Sequence, residues 1–208
     1  MIFNLPTRRK FKPGRIRQAI ILVLLCLAIP ISLTASPGHQ TLKQGVFLVA
    51  SDHLAGSSFE KTVILVTKYS KYGAFGVVIN RPSTFTIKDV FPTLKSTRTH
   101  DKVFLGGPVH TSSFVYLMNK SDSKNTLAVI EGIHLGGAQK NLVPVLEKAQ
   151  SNDNIRAYAG YAGWAPGQLD AELARGDWLV TEADKASIFK NNNNLWNQLT
   201  QILRGKWI

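Results

Sequence analysis

A chain of 208 residues, 44% of them hydrophobic and 18% charged, has the length of one medium domain or of one domain with an appendage. Its formal charge of +12 is unevenly placed: Arg8, Arg9, Lys10, Lys12, Arg15 and Arg17 contribute +6 with no acid before residue 40, and the remaining 19 basic and 13 acidic residues leave the body at +6. That excess is compatible with nucleic acid without being diagnostic of it, and the single cysteine, Cys26, excludes a disulfide within the chain.

The first forty residues read as a leader. The basic segment is followed by eleven consecutive apolar residues, 19–29, then by Pro30 and the small residues Ser32, Thr34, Ala35 and Ser36. Basic, apolar and small, in that order, is the layout of a secretory signal, and the apolar run has signal length rather than membrane-span length. Thr7-Arg8-Arg9-Lys10-Phe11 resembles a twin-arginine export motif, with Lys12 where an apolar residue is usual. Three alternatives stay open: a cleaved signal, an uncleaved anchor touching the membrane through residues 19–35, and an upstream extension that is not normally translated. The first two place the protein outside the cytoplasm or on the inner membrane; the third leaves it cytoplasmic.

Residues 36–40 read as a linker, so the chain divides into 1–40 and a folded domain over 41–208. Residues 45–50 predict a strand, and 61–68 and 74–80 predict two more, joined as a hairpin across 69–73. Residues 86–91 read as a short helix stopped by Pro92. Residues 103–105 form a brief strand running into Gly106-Gly107-Pro108, followed by strands over 114–118 and 126–130. An amphipathic helix is expected over 139–149, with Pro144 placing its true start near Val143, and a second over 195–203. Asn191 to Asn194 read as a surface loop.

The stretch 160–178, GYAGWAPGQLDAELARGDW, organises the rest. Residues 155–161 alternate large and small as a half-buried strand does. Gly160 and Gly163 mark a bend, Pro166 suits a first helical turn, Gly176 suits the stop, and 177–181 resume as a strand. Leu169 and Leu173 share one helical face and are expected to bury, with Asp170, Glu172 and Arg175 turned elsewhere. Strands outnumber helices, so the expected class is α+β (mixed α/β): a single domain with a mixed, largely antiparallel sheet flanked by helices, behind a signal-like segment.

Candidate chemistry is sparse. His53, His100, His110 and His134 show no metal-ligand spacing, and no metal or cofactor is expected. Ser51, Ser57, Ser58, Ser112 and Ser113 lie in no nucleophile elbow. Gly106-Gly107-Pro108 and Gly136-Gly137 lack the phosphate-loop patterns; turns that need positive φ angles or close packing explain them better than an anion cradle does. Among the aromatics, Trp164 is the one expected to be partly exposed.

GYAGWAPGQLDAEL resembles the signature of the YqgE/AlgH family of bacterial proteins. Three further segments agree in order and spacing: Gly45-Val46-Phe47-Leu48-Val49-Ala50, Gly73-Ala74-Phe75-Gly76-Val77-Val78-Ile79-Asn80-Arg81-Pro82, and Phe104-Leu105-Gly106-Gly107-Pro108-Val109. The resemblance implies an α and β fold around a mixed sheet. Members are described as transcriptional regulators or as uncharacterised, so it implies no established activity. This chain carries Lys68 and Tyr69 where many members have an acid and a histidine, and His110-Thr111-Ser112-Ser113 where relatives often carry Arg and His. Polar positions change while glycines and aromatics stay, which favours a scaffold or binding role over shared catalysis.

The expected function is therefore a non-enzymatic regulatory or ligand- or partner-binding protein, with a small-molecule hydrolase or transferase using the glycine loops as the alternative. The partner is a protein or a small molecule; specific nucleic-acid binding has no support in the residues. The expected ligand site is formed by Gly106, Gly107, Pro108, Gly160, Gly163, Trp164 and Gln168, with Trp164 as an apolar wall and Gln168 fixing orientation.

Overall fold

Five apolar residues in a row, Val46–Ala50, form a strand (β1) covered on both faces. Phe47 and Val49 enter one hydrophobic cluster, and Val46, Leu48 and Ala50 enter another on the opposite side. A strand buried in this way needs neighbours on both edges to satisfy its backbone, and it has them. In the computed structural model, which describes residues 41–120, 125–150, 153–190 and 194–205, the elements after β1 are Val63–Ser70 (β2), Gly73–Val78 (β3), Pro82–Thr86 (β4), Ile87–Val90 (α1), Lys102–Leu105 (β5), Val109–Met118 (β6), Thr126–Ile130 (β7), Ile133–Gly137 (β8), Gln139–Lys148 (α2), Ile155–Trp164 (β9), Gln168–Ala174 (α3), Trp178–Glu182 (β10), Lys185–Phe189 (α4) and Leu195–Gly205 (α5).

The strands form one 10-stranded sheet in the order β10-β1-β2-β3-β9-β6-β8-β7, with β4 and β5 attached beside it. Every pairing is antiparallel except one: β5 runs parallel to β9, with Phe104 opposite Tyr158 and Leu105 opposite Ala159. The α+β class and the mixed, largely antiparallel sheet with packed helices are as the sequence predicts. The leader expectation falls on residues 1–40, outside the described residues. Among the described residues, no helix is long and apolar enough to cross a membrane.

Three hydrophobic clusters cover the two faces. The first joins β1, β2, β3 and β9 through Phe47, Leu65, Val77 and Tyr158 to α4 and α5 through Ile188, Leu195 and Leu203. The second holds Leu48, Ile64, Trp164, Leu169 and Trp178. The third sets α1 and α2 on β5, β6 and β9 through Ile87, Val103, Tyr116, Leu142 and Leu146. Local chemistry agrees with these placements. Thr86 accepts from Asp89 N–H while Asp89 accepts from Thr86 N–H at 2.7 Å, a capping box that starts α1 where the sequence predicts it.

Four expectations need correction. The hairpin turn is tighter than 69–73, because Ser70 already pairs with Gly73. The second helix begins at Gln139, not near Val143, and keeps Pro144 inside it. Continuing through the proline buries both Leu142 and Leu146, one turn apart, and that burial outweighs one lost backbone bond. Gly136-Gly137 is no turn; it lies in β8, where Gly136 admits the Tyr116 ring, at 2.0 Å from where a Cβ would stand. The strand after Ile155 does not stop at Tyr161; β9 runs on to Trp164, with Gly160 at φ +69 as a kink within it.

Helix α3 stops as expected, with Gly176 N–H donating to Leu173 O at 2.9 Å and Asp177 N–H to Glu172 O at 3.0 Å. Its start is two residues later than a first turn led by Pro166, since the helix opens at Gln168 after Gly167. Leu169 is 1% exposed, whereas Leu173 is only partly buried. Leu169→Ala is therefore expected to cost roughly 2–5 kcal/mol and Leu173→Ala clearly less; a pair of thermal melts with the order reversed would contradict this docking of α3.

Candidate functional site

One edge of β9 is shared in turn by β5 and β3, and Gly106 stands at the handover. Its N–H donates to Ala159 O at 2.8 Å, and its carbonyl accepts from Val78 N–H at 2.9 Å. Beyond it the edge passes to β3, where Gly76 faces Ala162. The two backbones come so close that a Cβ on Gly106 would lie 2.3 Å from Gly160 O, and one on Gly107, at φ +151, 2.2 Å from the Tyr161 carbonyl carbon. The two glycine-rich segments do meet, because β5 and β9 are neighbours. They meet backbone to backbone, and Gly106 N–H is held by the sheet, so this donor is not available to an anion.

A cleft of about 220 Å³ opens beside that junction, lined by Ser58, Phe59, Val78, Arg81, Leu105, Gly107, Pro108, Thr111 and Ala159. Its lining is largely apolar, and Leu105 stands 49% exposed at its border. Arg81 is its cation. The guanidinium donates to Ser58 O and, at 2.7 Å, to Glu60 O, while its own carbonyl accepts from Leu105 N–H at 2.8 Å. Burial lowers the Arg81 pKa from the usual arginine value, against the pull of the Glu60 charge. Two of the five donors of an arginine are thus taken by carbonyls, and no described carboxylate lies within ion-pair distance of it. Asn80 completes the clamp, accepting from Val63 N–H at 2.8 Å and donating to Lys61 O at 2.9 Å. Asn80 and Arg81 together fasten the loop after β1 over one wall of the cleft.

Of the residues expected to form a ligand site, Gly107 and Pro108 line this cleft, and Gly106 and Gly160 shape the backbone beside it. The other three lie at the far end of β9 and on α3. Trp164 is not partly exposed but 6% exposed: it packs edge to face on Trp178 in the second cluster. Gln168 accepts from Ala165 N–H at 3.0 Å and donates to Glu172 at 2.9 Å, which caps the entry to α3. Gly163 pairs with Phe75 in the sheet. Glu172, read as facing away, turns inward: one carboxylate oxygen accepts from both indoles, Trp164 Nε1 at 2.8 Å and Trp178 Nε1 at 2.9 Å. The residues missed by sequence reasoning are Arg81, Ser58, Leu105 and Thr111. Arg81 lay within the Asn80-Arg81-Pro82 end of a family motif, which was its only signal.

The histidines are dispersed. His53 contacts Arg175 O at 3.1 Å, and His110, at φ +49, stacks on Tyr161. Among the described residues, no three metal-ligating side chains converge.

A sequence-family model described as AlgH-like matches residues 47–208. The chain belongs to the AlgH-like family. Curated relatives include a UPF0301 protein of Cytophaga hutchinsonii, 29% identical over 80% of this chain and 92% of its own length, and one of Chlamydia caviae, 30% identical over 81% and 90%. The solution structure of the AlgH protein from Pseudomonas aeruginosa superposes with a TM-score of 0.67 at 29% identity, covering 81% of this chain and 91% of that one. A Corynebacterium diphtheriae crystal structure, 22% identical with a TM-score of 0.64 over 79% and 89%, shares the fold. The family assignment made from the glycine and aromatic motifs is thereby established, and with it an AlgH-like domain of uncharacterised function.

Proposed function

We propose that this AlgH-like protein is a non-enzymatic regulatory protein that binds a small organic acid in the cleft beside Gly107 and Pro108. The observation that carries the reading is Arg81: a half-buried guanidinium, positioned by carbonyls rather than by a carboxylate, on the wall of an otherwise apolar space. An apolar body would lie against Phe59, Val78, Leu105 and Pro108, and its carboxylate would take remaining guanidinium donors, with the Ser58 and Thr111 hydroxyls as further partners. A volume of about 220 Å³ falls below the ~300–1,000 Å³ typical of drug-sized ligands, so a compact acid fits best. The lining brings together groups suited to recognition, with no imidazole or carboxylate side chain among them to serve as an acid–base pair.

A screen of small aliphatic and aromatic carboxylates against residues 41–208 tests this. Arg81→Gln is expected to weaken binding of any hit by at least about tenfold, the loss of a charge-assisted hydrogen bond of ~1.5–3 kcal/mol. Leu105→Ser, at an exposed position, should weaken it while leaving the melting temperature intact. Hits that bind both variants as well as the parent would contradict the assignment.

A further inference from the structure

The other end of the parallel pair β5 and β9 carries a second cleft, of about 250 Å³, lined by Arg98, His100, Asp101, Lys102, Phe104, Ile155 and Arg156. It is rich in cations, and their partners show which charges remain free. Arg98 is balanced by Asp101, its Nε 2.6 Å from a carboxylate oxygen, and it also donates to Asp153 O at 2.6 Å. Asp153 in turn holds Lys120 at 2.5 Å. Asp89, an acid in Coulombic reach of Lys102, accepts from the Thr86 N–H and hydroxyl. Lys102 itself donates to a carbonyl, Thr84 O, at 2.8 Å.

Arg156 is the decisive residue. It is only 8% exposed, and it donates to Ile79 O at 3.4 Å, to Ile188 O at 2.6 Å and to Phe189 O at 2.7 Å, the latter two being the last carbonyls of α4. Its guanidinium carbon lies 4.0 Å from the centre of the Phe104 ring. Helix-end carbonyls and an aromatic face offset part of a buried charge, but neither carries a full negative charge. Beside it, burial pushes the Tyr158 hydroxyl up to about 12, the arginine charge pulling the other way, so Tyr158 supplies no anion either. A buried cation without a carboxylate partner is costly, and proteins keep such a charge where something compensates it. Among the described residues no carboxylate stands within ion-pair distance of Lys102 or Arg156.

We propose that this cleft binds a phosphate group. Two permanent cations, Lys102 and Arg156, remain after Arg98 and Asp101 cancel, which matches a dianion better than a carboxylate, and His100 adds a ring nitrogen at the wall. The planar guanidinium and the lysine ammonium together form the pair that recognises phosphate oxygens. The ligand is either inorganic phosphate or the phosphate end of a small monoester; both present the same dianionic group.

The test is a titration of the full chain with inorganic phosphate at constant ionic strength, followed by backbone amide shifts. Saturable shifts should gather at residues 98–104 and 155–156, away from Arg81 and Gly107, so that failure here and failure of the carboxylate cleft are separately visible. Lys102→Gln removes an exposed charge without touching the core. It is expected to weaken phosphate at least about tenfold, as loss of a hydrogen bond from a charged group does, with the melting temperature unchanged. His100→Ala serves as the second variant and should weaken binding in the same direction. Phenyl phosphate run in parallel distinguishes the sources: tighter binding than inorganic phosphate assigns the cleft to monoesters, and weaker binding assigns it to the free ion. Absence of saturable binding, equal affinity in both folded variants, or displacement of phosphate by equimolar acetate would overturn the proposal.

Discussion

Gly107→Ala is expected to destabilise the protein by roughly 2–6 kcal/mol, the sum of strain at a backbone angle that side chains rarely adopt and of overpacking against a main chain that cannot move aside. The position sets the size of the effect. With φ at +151 and a Cβ that would stand 2.2 Å from the Tyr161 carbonyl carbon, 2.3 Å from its oxygen and 2.5 Å from Ala162 N, the added methyl would meet only backbone. Yielding would mean separating β9 from the segment that links β5 to β6, and with it the Gly106 hydrogen bonds that join three strands. For a domain of this length the loss corresponds to about 5–20 °C in melting temperature. Gly137→Ala is the matching control, since nothing beyond its own chain neighbours lies within 4 Å of the added carbon; it should change the melt little. Equal melts for the two variants would show that the β5–β9 junction is not packed as described.

The second large effect is expected at Glu172. Its Oε2 accepts from Trp164 and Trp178, whose side chains are 6% and 2% exposed, and its Oε1 accepts from Gln168. Glu172→Ala would leave two buried indole N–H groups without acceptors, at a cost of roughly 2–4 kcal/mol. Glu172→Gln keeps one carbonyl oxygen for the indoles and loses the charge assistance, so about half that cost is expected. Melts followed by tryptophan fluorescence check the order Ala worse than Gln worse than parent. A glutamine variant as damaging as alanine would mean that the charge, rather than the shared acceptor, holds the two rings.

The contrast between these two sites shows what the sequence discloses. Strands β1, β2 and β3 were legible because their hydrophobic runs are local signals bounded by polar turns. The glycines at 106, 107 and 160 were legible as places of close approach, though not what approaches: each meets main chain from a segment some fifty residues away. Strand β8 was hidden because Gly136-Gly137 imitates a turn, and the reason for a glycine there is the Tyr116 ring on β6. Pro144 argues for a late start to helix α2 because the burial of Leu142 and Leu146 against β6 is invisible from spacing alone. Glu172 misleads for a similar reason: on a helical wheel it belongs to the polar side, and only the return of β10 brings Trp178 to it. The cleft was half legible. Gly107 and Pro108 were named, but Arg81 gains its setting from loop carbonyls 21 and 23 positions earlier, a relation with no periodic trace.

Recognition of a small organic acid, as proposed for the cleft between Gly107, Pro108 and Arg81, has a spectroscopic signature. The most direct measurement is amide chemical-shift mapping of residues 41–208 titrated with the tightest carboxylate from the screen. Saturable shifts are expected only at residues 58–59, 78–81, 105–111 and 159, and they should disappear in Arg81→Gln under conditions where that variant remains folded. Shifts centred instead on Trp164 and Gln168, or an acid chemically converted during the titration, would contradict the proposal.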